Sequence, residues 1–331
     1  TVEGHQLCRH KQKRQEFLTN QSVMNRGIVE MNGEILASSQ SNRKENGHTE
    51  HYTFEEVEAT AKWLLEKVKC RPKIGIICGS GMGGLGDLVE NREVISYGEI
   101  PGFLVSTVPG HAGNLIFGKL ESKKVVLMQG RTHLYEGYSI HRITLPIRVM
   151  KLMGVTVLIS TNAVGGINPD YNVGDIMIIK DHFNLPGFAA VNPLVGPNDE
   201  RFGPRFPSTS DAYDKEFRQL AKQKAKELGY DSFVREGVYC CLAGPCYESI
   251  TECRFLRIVG VDSTGMSTVP EVLVAKHCGI RVLGLSLVTN KCIMDYDSET
   301  FASHEEVLEA AKMRSKDLQR LAAAIVRDMK I

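Results

Sequence analysis

The chain has 331 residues, 42% of them hydrophobic and 24% charged, and a formal net charge of +1. This is ordinary globular composition, enough for one large domain or two small ones, and near-neutral charge gives no general pull toward nucleic acid or an anionic membrane. No apolar run is long enough to span a bilayer and no N-terminal apolar core reads as a signal peptide, so a cytoplasmic protein is expected.

Residues 1–50 are rich in Gln, Asn, Ser, Lys and Arg and lack sustained periodicity, which is the composition of a disordered arm. Its basic cluster, Arg9-His10-Lys11-Gln12-Lys13-Arg14, reads as a solvated tail rather than a nucleic-acid patch. Deleting the arm is expected to leave activity intact. Residues 51–331 read as one domain. Thr53 and Glu56 make a capping box, and Phe54, Val57, Ala61, Leu64 and Val68 recur at helical spacing to about Val68. The apolar run Ile74–Cys78 then reads as a buried strand. It ends in glycines at 79, 81, 83, 84 and 86 with Ser80 among them, a loop able to bring backbone N–H groups against an anion. Gly79, Gly81 and Gly84 also satisfy G-x-G-x-x-G, with Glu99 placed like a ribose-binding acid. Leu85–Glu93, however, is too short and too poorly periodic for the helix that a dinucleotide site needs.

Further strands are expected at Val94–Tyr97, Leu115–Phe117, Val125–Gln129, Val155–Thr161, Ile176–Ile179, Gly237–Leu242 and Val282–Val288. Helices are expected at Ile143–Met153, Tyr213–Leu228, Ser249–Val259, Pro270–His277 and His304–Met329. The alternation indicates an α/β fold around a largely buried sheet. Asn184–Ser210 is long, rich in Pro, Gly and Asn, and reads as a functional or interfacial loop. The cysteines (Cys8, Cys70, Cys78, Cys240, Cys241, Cys246, Cys253, Cys278 and Cys292) form no C-x-x-C pair and mostly sit in apolar runs. They read as buried reduced thiols, and no metal site is expected.

Polar residues gather where strands end. Arg131 and His133 follow Val125–Gln129, and two residues apart on extended backbone they face one side. Singly they read as an ion pair and a loop histidine; beside the Ser80 loop they are further donors to one anion. Ser160-Thr161-Asn162-Ala163-Val164-Gly165-Gly166 offers backbone N–H groups or a tight turn. Tyr247 and Glu248 suit stacking on and hydrogen-bonding a planar base, although Glu248 also suits the first turn of a helix. Ser267 and Thr268 precede Pro270 and read singly as an N-cap. Asn290 both donates and accepts, which fits a heterocycle edge as well as a strand-end turn. The acids of Asp295–Glu299 are spaced like a calcium loop, but Thr300 stands where glycine is required.

Cys78-Gly79-Ser80-Gly81, Pro109–Gly113, Gly130-Arg131-Thr132-His133, Thr161–Gly166, Gly265–Glu271 and Thr289-Asn290-Lys291 occur in this order. From about Tyr52 onward the chain resembles the trimeric, low-molecular-mass purine nucleoside phosphorylases, a resemblance that includes Asn198–Phe206. The resemblance implies a single α/β domain whose mixed sheet partly closes into a barrel flanked by helices, a homotrimer, and phosphorolysis of purine nucleosides and deoxynucleosides in purine salvage. It implies that Ser80, His111, Arg131, His133, the N–H of Ala163 and Ser267 hold phosphate. Tyr135, Met266 and His304 would meet the ribose, and Tyr247, Glu248 and Asn290 the base, with Phe206 lent by a neighbouring subunit. The residues carrying catalysis are then Asn290, Glu248, His133 and His304, with phosphate as co-substrate and no cofactor, metal, nucleic acid or membrane. Tyr247, near the base, Thr264, on the wall of the base pocket, and Cys246 and Val164 depart from the family's usual residues. A methylthioadenosine phosphorylase is the nearer rival, against which Asn290 and His304 both speak; a non-catalytic nucleoside binder is the other.

Overall fold

In the computed structural model, which describes residues 51–299 and 304–331, Thr53 caps the first helix as its spacing from Glu56 predicts. The Glu56 N–H donates to the Thr53 hydroxyl at 3.2 Å, and the Thr53 N–H donates to the Glu56 carboxylate at 2.7 Å. The arm expected over residues 1–50 lies outside the described residues. After this helix, α1 (Phe54–Lys67), the chain runs β1 (Ile74–Cys78), β2 (Glu90–Ser96), β3 (Asn114–Leu120), β4 (Lys123–Gln129), α2 (Ile140–Leu152) and β5 (Val157–Gly166). It continues through β6 (Ile176–Asn184), the single turn α3 (Leu185–Phe188), α4 (Lys215–Glu227), β7 (Val234–Cys241) and α5 (Ile250–Ile258). β8 (Ser263–Gly265), α6 (Val269–His277), β9 (Arg281–Lys291) and α7 (His304–Asp328) complete it.

β1 is buried throughout and lies parallel between β4 and β5. Its alternation feeds two cores. Ile74, Ile76 and Cys78 face the apolar residues of α4 and α7, while Ile77 faces those of α1, α2 and α6. β3 and β2 extend the sheet antiparallel beyond β4. On the other side β5, β8, β7, β6 and β9 pair in that order, and β9 returns to β5, closing a five-stranded barrel. The mixed, partly closed sheet expected from the sequence is therefore present. Among the described residues no helix is long and apolar enough to cross a membrane.

Three local expectations change. The Ser160–Gly166 stretch is not a turn after a strand: β5 continues to Gly166, where its small residues pair with β9 and β8. The glycine-rich loop leads into a 3₁₀ turn over Gly83–Leu88 rather than an α-helix, which removes the dinucleotide reading. The Asn184–Ser210 segment opens with the end of β6 and with α3, and its later part is pinned rather than free. Phe202 packs on Phe54 with ring centroids 4.8 Å apart, and Asn198 meets His277 at 3.0 Å.

Candidate functional site

The carboxyl ends of β1 and β4 and the late part of β5 border one cleft of about 400 Å³. This is where open α/β sheets place ligands. On one edge β5 pairs with β9 along its length. On the other its pairing with β1 ends at Ser160 and with β8 begins at Gly165, so residues 161–164 leave a gap in the ladder. The Thr161 carbonyl faces that gap and accepts from Arg131. By the two-residue period of a strand, the Ala163 N–H faces it too.

Ser80, Arg131, His133, Ala163 and Ser267 line this end of the cleft. The Ser80 loop is fixed by contacts that only glycine permits. A Cβ on Gly79 would lie 2.6 Å from the Thr161 carbonyl oxygen, and one on Gly81, where φ is +77°, would lie 2.3 Å from Ala311 Cβ. The Gly79 N–H donates to Thr161 Oγ1 at 3.1 Å, locking loop to strand. Ser80 Oγ meets His111 Nε2 at 3.2 Å, and His111 Nδ1 lies 2.8 Å from both the N–H and the carbonyl of Arg131. Burial, helped by the nearby His133 and Arg131, pushes His111 down to about 4, so its ring is neutral near pH 7.

Arg131 is only 2% exposed. It donates to the Thr161 carbonyl and to Thr268 Oγ1 and lies 3.4 Å from the Glu271 carboxylate. The ion pair and the cleft-lining position, separate readings in the sequence, are both realised, and Nε makes no hydrogen bond among the described residues. Thr268 does not cap α6. Its φ of +74° and the Val269 N–H donating to the Ser267 carbonyl at 2.8 Å make a strained γ-turn, and its hydroxyl goes to Arg131. His133 is held by Glu136: its N–H donates to the Glu136 carboxylate at 2.7 Å and its Nδ1 lies 3.1 Å away. Burial works to raise the Glu136 pKa, but donors from His133 and from Thr107 outweigh it and hold the group down to about 2. With Nδ1 so engaged, Nε2 is left for the cleft.

The other end of the cleft is lined by Tyr247, Glu248, Thr264 and Asn290, with Tyr135 and Met266 between the two ends. Asn290 is aimed by a β-bulge. Val164 pairs with Val288, but Gly165 pairs with Asn290, so Thr289 is the extra residue and the next side chain turns into the cleft. The Thr289 hydroxyl donates to Asn290 Oδ1 at 3.3 Å, leaving the amide N–H groups for a ligand. Glu248 lies just outside α5, which Ser249 caps, so the carboxylate is not spent on a helix terminus. Burial raises its pKa, and the Thr264 hydroxyl donates to Oε1 at 2.8 Å.

His111 thus stands behind Ser80. Phe206 is 88% exposed and does not line the cleft of its own chain. The side chain of His304 lies outside the described residues, although α7 begins there and Val307 reaches the cleft wall. Glu136, Glu271 and the strained Thr268 escaped sequence reasoning as positioning residues. Glu136 carried a signal, sitting three residues after His133 as in a one-turn cap; Glu271 read only as an acid in a first helical turn.

A profile of the phosphorylase superfamily matches residues 73–327. The chain is 54% identical to a purine nucleoside phosphorylase of Bos taurus, over 83% of this chain and 95% of that one. It is 50% identical to purine nucleoside phosphorylase 1 of Geobacillus stearothermophilus, over 82% and 97%. A crystal structure of a Schistosoma purine nucleoside phosphorylase in complex with hypoxanthine superposes with a TM-score of 0.82 at 47% identity, covering 86% of this chain and all of that one.

Proposed function

The chain belongs to the purine nucleoside phosphorylases of the phosphorylase superfamily, and on that premise we propose how its cleft divides the work of phosphorolysis. The enzyme converts a purine nucleoside and phosphate into free base and pentose 1-phosphate. Breaking the N-glycosidic bond builds positive charge on the sugar and negative charge on the leaving purine. Phosphate is the nucleophile and the only co-substrate, so the protein's part is placement and charge stabilisation, with no cofactor. Ser80, Arg131, His133, Ser267 and the Ala163 N–H hold phosphate, with His111 behind Ser80. Tyr135, Met266 and His304 meet the sugar. Tyr247 stacks on the base, Asn290 donates to N7 or O6 as the base becomes anionic, and Glu248 accepts from N1–H through the oxygen that Thr264 leaves free.

One observation carries this reading: a donor-rich end and a carboxylate–amide end share a single cleft. Ionised Glu248 suits inosine, guanosine and their deoxy forms, which carry a proton on N1. Adenosine presents a lone pair there, leaving two buried acceptors face to face. The test is kcat/KM for inosine, adenosine and methylthioadenosine measured side by side. Inosine is expected to be preferred, and comparable efficiency on adenosine contradicts the assignment of Glu248. A homotrimer is part of the same reading, because exposed Phe206 serves a cleft other than its own. A cytoplasmic location fits the free thiols of the described cysteines.

A further inference from the structure

Behind the base end of the cleft, three side chains distant in sequence converge. A carboxylate oxygen of Glu248 and the Sγ atoms of Cys253 and Cys292 all lie within 4.8 Å of one another. Cys253 points from the first turns of α5 into a small core and is buried, whereas Cys292, just beyond β9, is half-buried. The Cys292 N–H donates to the Gly166 carbonyl at 2.9 Å, and its Sγ lies over Gly165, where an added Cβ would come within 2.7 Å. Gly165 lines the cleft, so the cluster adjoins the base pocket. Neither thiol is in a disulfide.

We propose that Glu248, Cys253 and Cys292 form an inhibitory site for a thiophilic divalent cation of the zinc or cadmium class. The proposal rests on the reading of Glu248 as the acceptor of the purine N1–H. Two thiolates and a carboxylate select such ions over magnesium or calcium. Ligands at 2.0–2.3 Å from one zinc stand roughly 3.5–3.8 Å apart, so small side-chain rotations close the present spacing. Three protein ligands leave a fourth position open, as in sites that exchange a water or substrate. Binding releases both thiol protons, so the site weakens as pH falls. The bound cation takes the carboxylate that the base requires. Inhibition is therefore competitive with nucleoside.

The test titrates the full chain with cadmium under a phosphine reductant, reading thiolate-to-cadmium charge-transfer absorbance, and then measures zinc inhibition of inosine turnover. The expected result is one cadmium bound per chain and a zinc-dependent rise in KM for inosine with kcat unchanged. Cys292→Ala and Cys253→Ala should each abolish both signals, with metal-free kcat within about twofold; the half-buried Cys292 site decides if Cys253→Ala fails to fold. Cys246→Ala, at an exposed thiol, should change nothing. Absorbance that survives Cys292→Ala, loss in Cys246→Ala, or inhibition that lowers kcat alone overturns the site. A chain that binds cadmium through Cys253 and Cys292 but does not turn over inosine refutes the function of the cleft and leaves the cation site standing.

Discussion

Burial raises the pKa of Glu248 while the hydrogen bond from Thr264 pulls it back. In the proposed division of the cleft, the ionised carboxylate would accept from the N1–H of a 6-oxopurine and the protonated one would donate to adenine N1. As pH falls through the raised pKa, KM for inosine should climb at a higher pH than an ordinary carboxylate allows, while KM for adenosine falls. Thr264→Val removes the opposing hydrogen bond, so the acid limb for inosine should move to still higher pH; an unmoved limb contradicts this role. Glu136 behaves oppositely. Its pKa is held down to about 2 against a usual 4.5, so it stays ionised across the working range. The stability it contributes is present above the unfolded value and lost only as pH falls toward 2. Glu136→Gln should lower kcat/KM for phosphate about ten- to hundredfold through a misplaced His133, the worth of one hydrogen bond to a charged group. Arg131 and His133 were legible as neighbours because an extended chain puts alternate residues on one side. Glu136 went unread as the support of His133 although it stands three residues on, as in a one-turn cap; its other donors, at Ser106–Thr107, are joined to it only in the fold.

Elements were legible where a run of apolar residues announced them. β1, β4 and β9 were each found from such runs, β1 with both its ends and β4 and β9 a few residues short. β8 was not, because Ser263-Thr264-Gly265 is short and carries no apolar pattern; β5 and β7 hold it from both sides. The same closure extends β5 through residues that read as a turn, and it produces the bulge that aims Asn290. The γ-turn at Thr268 is equally a product of the fold, since a β-branched residue does not choose positive φ by itself. It is held where Arg131 is tied to both Thr268 and Glu271. Glu271→Ala should destabilise the protein by about 3–5 kcal/mol in denaturant unfolding, because it leaves the Arg131 charge buried without its counter-ion. A cost under about 1 kcal/mol would mean that Thr161 and Thr268 satisfy the guanidinium unaided.

For the whole molecule, family membership and the barrel-closing sheet follow from 54% identity to the bovine relative and a TM-score of 0.82 with the schistosome structure. Assembly belongs to the same scale. Phe206 is exposed in its own chain, with, among the described residues, only the neighbouring Arg205 guanidinium over its ring, so Phe206→Ala should leave Tm nearly unchanged, as for a surface position, yet raise KM for nucleoside. An unchanged KM removes Phe206 from the site. The most direct measurement is release of base from inosine with and without inorganic phosphate, with the sugar product identified. The cleft as described predicts hypoxanthine release that depends on phosphate and yields ribose 1-phosphate in equal amount. Release that proceeds without phosphate and yields free ribose, or inosine binding with no release at all, would contradict it.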